Sequence, residues 1–145
     1  MSDILLIFGS KSHILKGFCP EKKYSQIIIA NRSPSELKDI KTSFIAYDLL
    51  SKNQDDERII NFLKSNEFEN IDILFASYTK KGLKHNDKKE DIYDGLFANI
   101  ARPLSLFSSL SENFDDKKIN GIFISSMYSI VSPNKNNYLR NSEIN

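Results

Sequence analysis

Five short apolar runs, rich in Ile and Phe, recur along the chain. They are ILLIF (4–8), QIIIA (26–30), SFIAY (43–47), DILFA (72–76) and GIFIS (121–125). The apolar residues in each run are largely continuous rather than alternating with polar ones. Continuous runs are typical of a parallel sheet that helices cover on both faces, because such strands have no side in contact with water. The pattern therefore predicts five buried parallel strands.

Between the runs, the apolar positions change to a helical period. In the segment 56–63 the apolar residues Ile59, Ile60 and Leu63 fall on one face, which predicts a helix. Ser33 and Pro34 form a cap and first-turn signal, and they predict a short helix before the third strand.

A longer helix is predicted from Asp91 to Leu110. Its apolar residues follow at steps of three and four: Ile92, Leu96, Ile100, Leu104, Phe107 and Leu110. Pro103 is expected to bend this helix or to interrupt it, because proline lacks the amide hydrogen of the helical hydrogen bond.

Alternating strands and helices predict an α/β fold. Right-handed crossovers favour a doubly wound parallel sheet with the strands in the order 3-2-1-4-5. We expect this domain to span residues 1–131, followed by a polar C-terminal tail at 132–145. The charged segment 80–90 is predicted to be a surface loop.

The composition narrows the range of partners. Twenty basic and nineteen acidic residues give a net charge of +1, so no strong field attracts nucleic acid or an anionic membrane, and a small-molecule ligand is favoured. Cys19 is the single cysteine, which fits a reducing cytoplasm. The apolar start is too short for a signal peptide or a membrane span. His13 and His85 do not stand in a zinc-binding pattern, and we expect no metal.

The first candidate site is the segment GSKSHILKG (9–17), which leaves the first strand and enters a predicted helix. The free amide groups and the dipole of a helix N-terminus can hold a pyrophosphate. Gly9 takes the tight-turn position, but His13 and Leu15 stand where a G-x-x-x-G-x-G motif has glycines. The alternative is an ordinary turn between a strand and a helix.

The second and third candidates follow the next two strands. Arg32 can stack on adenine and pair with a ribose phosphate, which favours NADP over NAD, with Lys11 as a helper. The alternative is a solvated arginine that caps a helix. Asp48 can accept a hydrogen bond from the adenine amino group, or it can simply start a turn.

Block by block, the chain resembles the classical short-chain dehydrogenase/reductase (SDR) family. FGSKSHI (8–14) is similar to the family's glycine-rich turn, ANRS (30–33) to its NADP-type second turn, and YDLL (47–50) to its adenine-contacting turn. IDILFASYT (71–79) resembles the strand that normally ends in Asn-Asn-Ala-Gly, GLFANIARPLSL (95–106) the helix with the structural asparagine, and GIFISSMYSIVSP (121–133) the strand of the active-site serine. The resemblance implies a Rossmann-type fold that is truncated before the family's last helices and strands.

The resemblance also implies an activity and a set of site residues. The activity is NAD(P)-dependent hydride transfer at a carbinol or carbonyl carbon, with NADP slightly favoured over NAD as cofactor. Ser126 would hold the substrate oxygen, and Asn99 would support a proton-relay water. The alternatives are a hydroxyl that bonds the backbone for Ser126 and a water-facing polar residue for Asn99. The cofactor-binding residues would be Gly9, Lys11, Ser12, His13, Ile14, Arg32, Asp48, Leu49, Ala76 and Ser77.

The tyrosine and lysine pair that the family uses in catalysis is not found in this sequence. The family uses a tyrosine whose phenol transfers a proton, and a lysine four positions later that lowers the pKa of that phenol. Tyr138 lies twelve residues after Ser126, but position 142 is Ser, so Tyr138 is a weak catalytic candidate. The segment 125–138 also resembles an SDR branch of bacterial surface-sugar biosynthesis with a longer insertion before the tyrosine. In that case the Tyr-Lys pair would follow Asn145, and the substrate would be a sugar or a nucleotide sugar.

Two hypotheses from other classes stand beside the enzyme. A non-catalytic dinucleotide-binding or interaction module would explain the degenerate glycine turn and the missing Tyr-Lys pair. A flavodoxin- or receiver-like protein has the same sheet, but residues 10–13 contain no acidic cluster. Whichever activity holds, the fifth strand would be left as an edge, and the apolar face of the 91–110 helix, which the family packs in a subunit interface, would be exposed. These features predict either a homo-oligomer or marginal stability.

Overall fold

The computed structural model contains a parallel sheet flanked by helices. It describes residues 2–11, 15, 17–20, 23–34, 37, 40–49, 51, 56–76 and 88–124. The strands are β1 (Asp3–Phe8), β2 (Gln26–Asn31), β3 (Ser43–Ala46), β4 (Asn70–Phe75) and β5 (Lys118–Phe123). The helices are α1 (Glu57–Lys64), α2 (Lys89–Leu96) and α3 (Arg102–Asn113), with a π-helical turn (Phe97–Ala101) between α2 and α3.

The strand order β3-β2-β1-β4-β5 confirms the predicted doubly wound α/β fold, which is Rossmann-like. All four pairs of neighbouring strands are parallel. Phe8 at the end of β1 lies opposite both Ala30 and Phe75, and Phe75 lies opposite Phe123. The carboxyl ends of the strands therefore meet along one edge, where ligands bind in sheets of this kind.

The sheet buries apolar side chains on both faces, which explains the continuous apolar runs. The first face packs against the buried residues Ile59, Ile60 and Leu63 of α1 and Leu106 and Leu110 of α3. From β1 it receives Ile4, Leu6 and Phe8. The second face receives Leu5 and Ile7 of the same strand, which pack with Leu15, Leu37 and Leu74.

The prediction of five buried strands is wrong for β5 and only partly right for β3. In β5, Ile122 and Phe123 are exposed, and in β3 so is Phe44. These two strands form the edges of the sheet, so each has a strand partner on one side only. An apolar run predicts a strand but not its burial, whereas the predicted strand order did place β3 and β5 at the edges.

The predicted 91–110 helix is present as α2, the π-helical turn and α3, with the interruption just before Pro103. The prediction of one shared apolar face is wrong. Pro103, Leu106 and Leu110 are buried, whereas Ile92, Leu96, Ile100 and Leu104 are exposed. The residues spaced by three and four positions belong to two separate apolar stripes, and these stripes face different directions.

The short helix predicted from Ser33 and Pro34 does not occur among the described residues there. Leu37 and Ile40 instead pair in an isolated antiparallel bridge. Most of the predicted 80–90 loop and the whole 132–145 tail lie outside the described residues, while Lys89 and Glu90 belong to α2.

Candidate functional site

The turn after β1 is fastened to the end of β2 by one side chain. Gly9 begins the turn with a φ of +86°, a left-handed conformation that glycine adopts readily. Its amide donates a hydrogen bond to Asn31 Oδ1 at 2.9 Å. Asn31 Nδ2 in turn donates to Ser10 Oγ at 2.7 Å, and Ser10 is buried. Asn31 thus joins the first two turns at the carboxyl edge of the sheet.

A second link between these turns is exposed to solvent. Lys11 Nζ donates to Ser33 Oγ at 2.8 Å, and Arg32 is exposed beside it in sequence. Two cations and a hydroxyl therefore lie on the turns after β1 and β2, and β1 borders the switch point between β1 and β4. Phosphate groups prefer such donors, and arginine binds them with two parallel hydrogen bonds. The donor set fits an anionic ligand.

The turn after β3 lies against the same edge. The Tyr47 amide donates to the Asn31 carbonyl at 2.8 Å and extends the pairing of β3 with β2. Asp48 and Leu49 follow directly and are half-buried. The structure therefore brings the predicted residues of the second and third turns to one edge, while their roles as cofactor contacts stay predictions.

At the end of β4, Ala76 is buried and its amide donates to the Phe8 carbonyl at 2.8 Å. This bond continues the parallel pairing of β4 with β1 past the last residue of each strand. The predicted site residues Ser12, His13, Ile14, Ser77, Ser126 and Tyr138 lie outside the described residues.

Leu15, which stands where the family motif has a glycine, is a core residue. Its side chain is buried in the second-face cluster with Leu5 and Ile7. In the glycine motif, that position allows the helix to approach the strand closely. Here a leucine side chain fills this part of the core.

Asn99, the predicted proton-relay residue, lies half-buried within the π-helical turn. The amide of Arg102 donates to the Phe97 carbonyl, five residues earlier, instead of to Ala98. Pro103 has no amide hydrogen to donate to the Asn99 carbonyl, four residues earlier. The backbone around Asn99 thus departs from a regular α-helix, and single π-helical turns are frequent at functional sites.

A part-buried polar cluster beneath this edge was not predicted from the sequence. Asp56 Oδ1 accepts a hydrogen bond from the Tyr47 hydroxyl at 2.8 Å, and it forms an ion pair with Arg102 Nη2. Burial, followed by the hydrogen bond to Asp56 and the charge of Asp56, raises the pKa of Tyr47 above 10.0. The Arg102 charge acts in the opposite direction with a smaller effect. Tyr47 is therefore a neutral hydrogen-bond donor, not an acid–base group.

An aromatic row under the carboxyl edge was also missed. Phe8 stacks on Phe75 with ring centroids 5.0 Å apart, Phe75 stacks on Phe123 at 4.7 Å, and Tyr47 meets Phe8 edge-on at 5.4 Å. A signal was present, because the apolar runs of β1, β4 and β5 each contain one phenylalanine. Pairing those positions requires the register of the sheet, which the runs alone do not give.

Within the described parts of the chain, no group of three or more His, Cys, Asp and Glu residues could hold a metal ion. None of the described helices has the length and apolar character needed to cross a membrane.

No model of a known protein family matches the sequence, and no curated protein matches it. Among solved structures, the chain is similar to a short-chain dehydrogenase/reductase from Burkholderia vietnamiensis, with a TM-score of 0.65 and 11% sequence identity. The similarity covers 90% of this chain and 66% of that chain, so this chain spans just under two thirds of that protein's length. At this identity the likeness shows the fold alone.

Proposed function

We propose that this chain is the dinucleotide-binding domain of an NAD(P)-dependent oxidoreductase of the short-chain type. The observation that carries the proposal is the pair of links between the turns after β1 and β2, from Asn31 to Gly9 and Ser10 and from Lys11 to Ser33. These links fix the turn after β1, which borders the switch point between β1 and β4 where doubly wound sheets bind dinucleotides. The SDR-like fold supports the same assignment.

The cofactor would be held at the carboxyl edge by Gly9, Lys11, Arg32, Asp48, Leu49 and Ala76. The hydrogen bond from Lys11 to Ser33 brings the first turn close to the second turn, which carries Arg32. This arrangement favours NADP, because a 2′-phosphate would meet two cations, Lys11 from the first turn and Arg32 from the second. A bound nicotinamide would supply or accept the hydride. At the reactive end, Asn99 would support a proton-relay water and Ser126 would hold the oxygen of a carbinol or carbonyl substrate, with a sugar or nucleotide sugar as the favoured class.

The proposal is tested by titrating NADPH and NADH against the purified protein and following nicotinamide fluorescence. Arg32→Ala is expected to raise the Kd for NADPH about tenfold, because a charged hydrogen bond to the 2′-phosphate is lost. The Kd for NADH should change little. Lys41→Ala removes an exposed cation just before the amino end of β3, and it should leave both affinities unchanged. Absence of binding by the wild-type protein would contradict the proposal.

A non-catalytic dinucleotide-binding module is the second candidate. It is favoured by the burial of Leu15 in place of a motif glycine, and none of the chain's tyrosines has a lysine four positions later. Tight NADPH binding with no turnover of carbonyl or carbinol substrates would support the module over the enzyme.

A further inference from the structure

Three residues that are distant in sequence meet in one cluster. Tyr47 follows β3, Asp56 caps the start of α1, and Arg102 begins α3. One carboxylate oxygen of Asp56 accepts hydrogen bonds from both other side chains. The Arg102 guanidinium also lies over the Tyr47 ring, 5.6 Å from its centroid. We call these residues the Asp56 cluster.

The Asp56 cluster is largely shielded from water. The side chains of Arg102 and Asp56 are 12% and 18% exposed, and Tyr47 is buried. Shielding strengthens the attraction between the charges and makes the loss of either partner costly. The cluster therefore holds the elements that it joins in their relative orientation more firmly than a surface ion pair does.

Arg102 also closes the π-helical turn. Its backbone amide donates to the Phe97 carbonyl, so the residue whose side chain Asp56 holds is the one that closes the turn. Pro103 follows and fixes its own φ. The position of Arg102 thus constrains the backbone that contains Asn99, while Tyr47 immediately precedes Asp48 and Leu49.

We infer that Tyr47, Asp56 and Arg102 form a positioning cluster, which holds the π-helical turn containing Asn99 at a fixed place relative to the turn after β3. The significance for cofactor binding rests on the proposed function, because those two turns would lie at the reactive and adenine ends of the dinucleotide. The cluster itself binds no ligand, and Arg102 acts through the backbone of the turn.

The inference is tested with Arg102→Lys, Asp56→Asn and the milder Tyr47→Phe, which keeps the aromatic ring. Amide hydrogen exchange, resolved by NMR, compares residues 97–101 with β1 as an internal reference. Arg102→Lys is expected to speed amide exchange at residues 97–101 about tenfold, because it weakens one charged hydrogen bond. The exchange rates of β1 should stay unchanged. Tyr47→Phe should give a smaller change at the same residues. Lys117→Gln breaks the exposed ion pair with Asp116 and should change neither region.

A second measurement separates positioning from general loss of stability. The Kd values of NADPH and of adenosine 2′,5′-bisphosphate are compared for wild type and Arg102→Lys. We expect the Kd of NADPH to rise about fivefold and that of the adenosine fragment to stay the same, because the altered turn would lie at the reactive end only.

Equal acceleration of exchange in β1 and in residues 97–101 would overturn the inference, and so would unchanged exchange at 97–101 in both Arg102→Lys and Asp56→Asn. If the wild-type protein binds neither nucleotide, the proposed function fails, and the exchange measurements still decide whether the cluster positions the turn.

Discussion

Asn31 uses both hydrogen-bonding functions of its side-chain amide to join two turns. The oxygen accepts from the Gly9 amide and the nitrogen donates to Ser10 Oγ, over a separation of about twenty residues in sequence. Aspartate can replace only the acceptor, and alanine can replace neither. The choice of asparagine here thus follows from the pair of groups that face it.

Asn31→Ala is therefore expected to lower the free energy of unfolding by about 1–2 kcal/mol, because the Gly9 amide and the Ser10 hydroxyl each lose a part-buried hydrogen bond to Asn31. Asn31→Asp should lie between alanine and wild type. Urea denaturation followed by circular dichroism measures the difference. Ser33→Ala, which removes only the exposed bond from Lys11, should stay within about 0.5 kcal/mol of wild type. Equal losses in Asn31→Ala and Ser33→Ala would contradict this account.

The raised pKa of Tyr47 leads us to expect an effect on the free energy of unfolding at alkaline pH. Below pH 10 the phenol is neutral in the folded and the unfolded chain, and it adds no pH dependence. Above its ordinary pKa of 10.0 the unfolded chain releases the proton first, because burial and Asp56 keep the folded phenol protonated. The unfolded state then binds fewer protons, so the free energy of unfolding falls as the pH rises.

The contribution of Tyr47 is seen in the difference between wild type and Tyr47→Phe. Above pH 10 the wild-type protein should lose stability faster than the variant, with a difference in slope of up to about 1.4 kcal/mol per pH unit. Chemical denaturation at a series of pH values from neutral to strongly alkaline measures both slopes. Parallel curves for the two proteins would show that Tyr47 does not titrate in this way.

At the scale of elements, α3 packs on β5 through a glycine. A Cβ on Gly121 would lie 2.8 Å from Phe107 Cε2 and 2.9 Å from Phe123 Cε2. These two rings meet edge-on with centroids 6.0 Å apart. A strand interior normally disfavours glycine, so this glycine is explained by the space that the two rings occupy.

Gly121→Val is accordingly expected to lower the free energy of unfolding by about 1–3 kcal/mol, because the rings must move to accommodate it. Thermal and urea denaturation measure the change. Ile122→Thr alters the neighbouring exposed residue, whose side chain points to the opposite face, and it should have a smaller effect. In a Phe107→Leu background the loss caused by Gly121→Val should shrink, since residues in contact couple. Additive losses would argue against the ring contact as the cause.

The strands were the most predictable elements, because their apolar runs are consequences of burial on two faces. β1, β2 and β4 lie within two residues of the predicted bounds, and the strand order follows from crossover handedness. The predicted strand order placed β3 and β5 at the edges, which the structure confirms. The exposure of Ile122 and Phe123 was not predictable from the runs, since these residues are as apolar as buried ones. The helix predicted at Ser33 does not occur at the described residues Ser33, Pro34, Leu37 and Ile40, where a cap signal is not followed by an apolar period.

The candidate site was predictable only where it follows the strand ends. Gly9, Arg32 and Asp48 were found because a parallel sheet gathers the residues after its strands. The link from Asp56 to Arg102 spans 46 positions, and no local pattern connects them. The linking role of Asn31 was not predictable, because its two partners lie in a turn after another strand.

At the scale of the whole molecule, two exposed apolar surfaces stand out among the described residues. One is the stripe of Ile92, Leu96, Ile100 and Leu104, which recur every four residues and are 44–53% exposed. The other is β5, an edge strand with the exposed residues Ile122 and Phe123. Contiguous apolar surface of this kind and an open strand edge both favour association between copies.

We expect the wild-type protein to self-associate through the stripe, because four large apolar side chains on one helical face remove more apolar surface from water than the edge of one strand. Sedimentation velocity over a wide concentration range measures the association. The double variant Leu96→Lys with Ile100→Lys should be monomeric and keep the wild-type circular dichroism spectrum, since both residues are exposed. Glu112→Lys, on the exposed side of α3, adds positive charge elsewhere and should still associate. If the double variant associates like wild type and Ile122→Lys is monomeric, the interface lies at β5 instead. A monomeric wild-type protein would contradict the prediction that either surface mediates association.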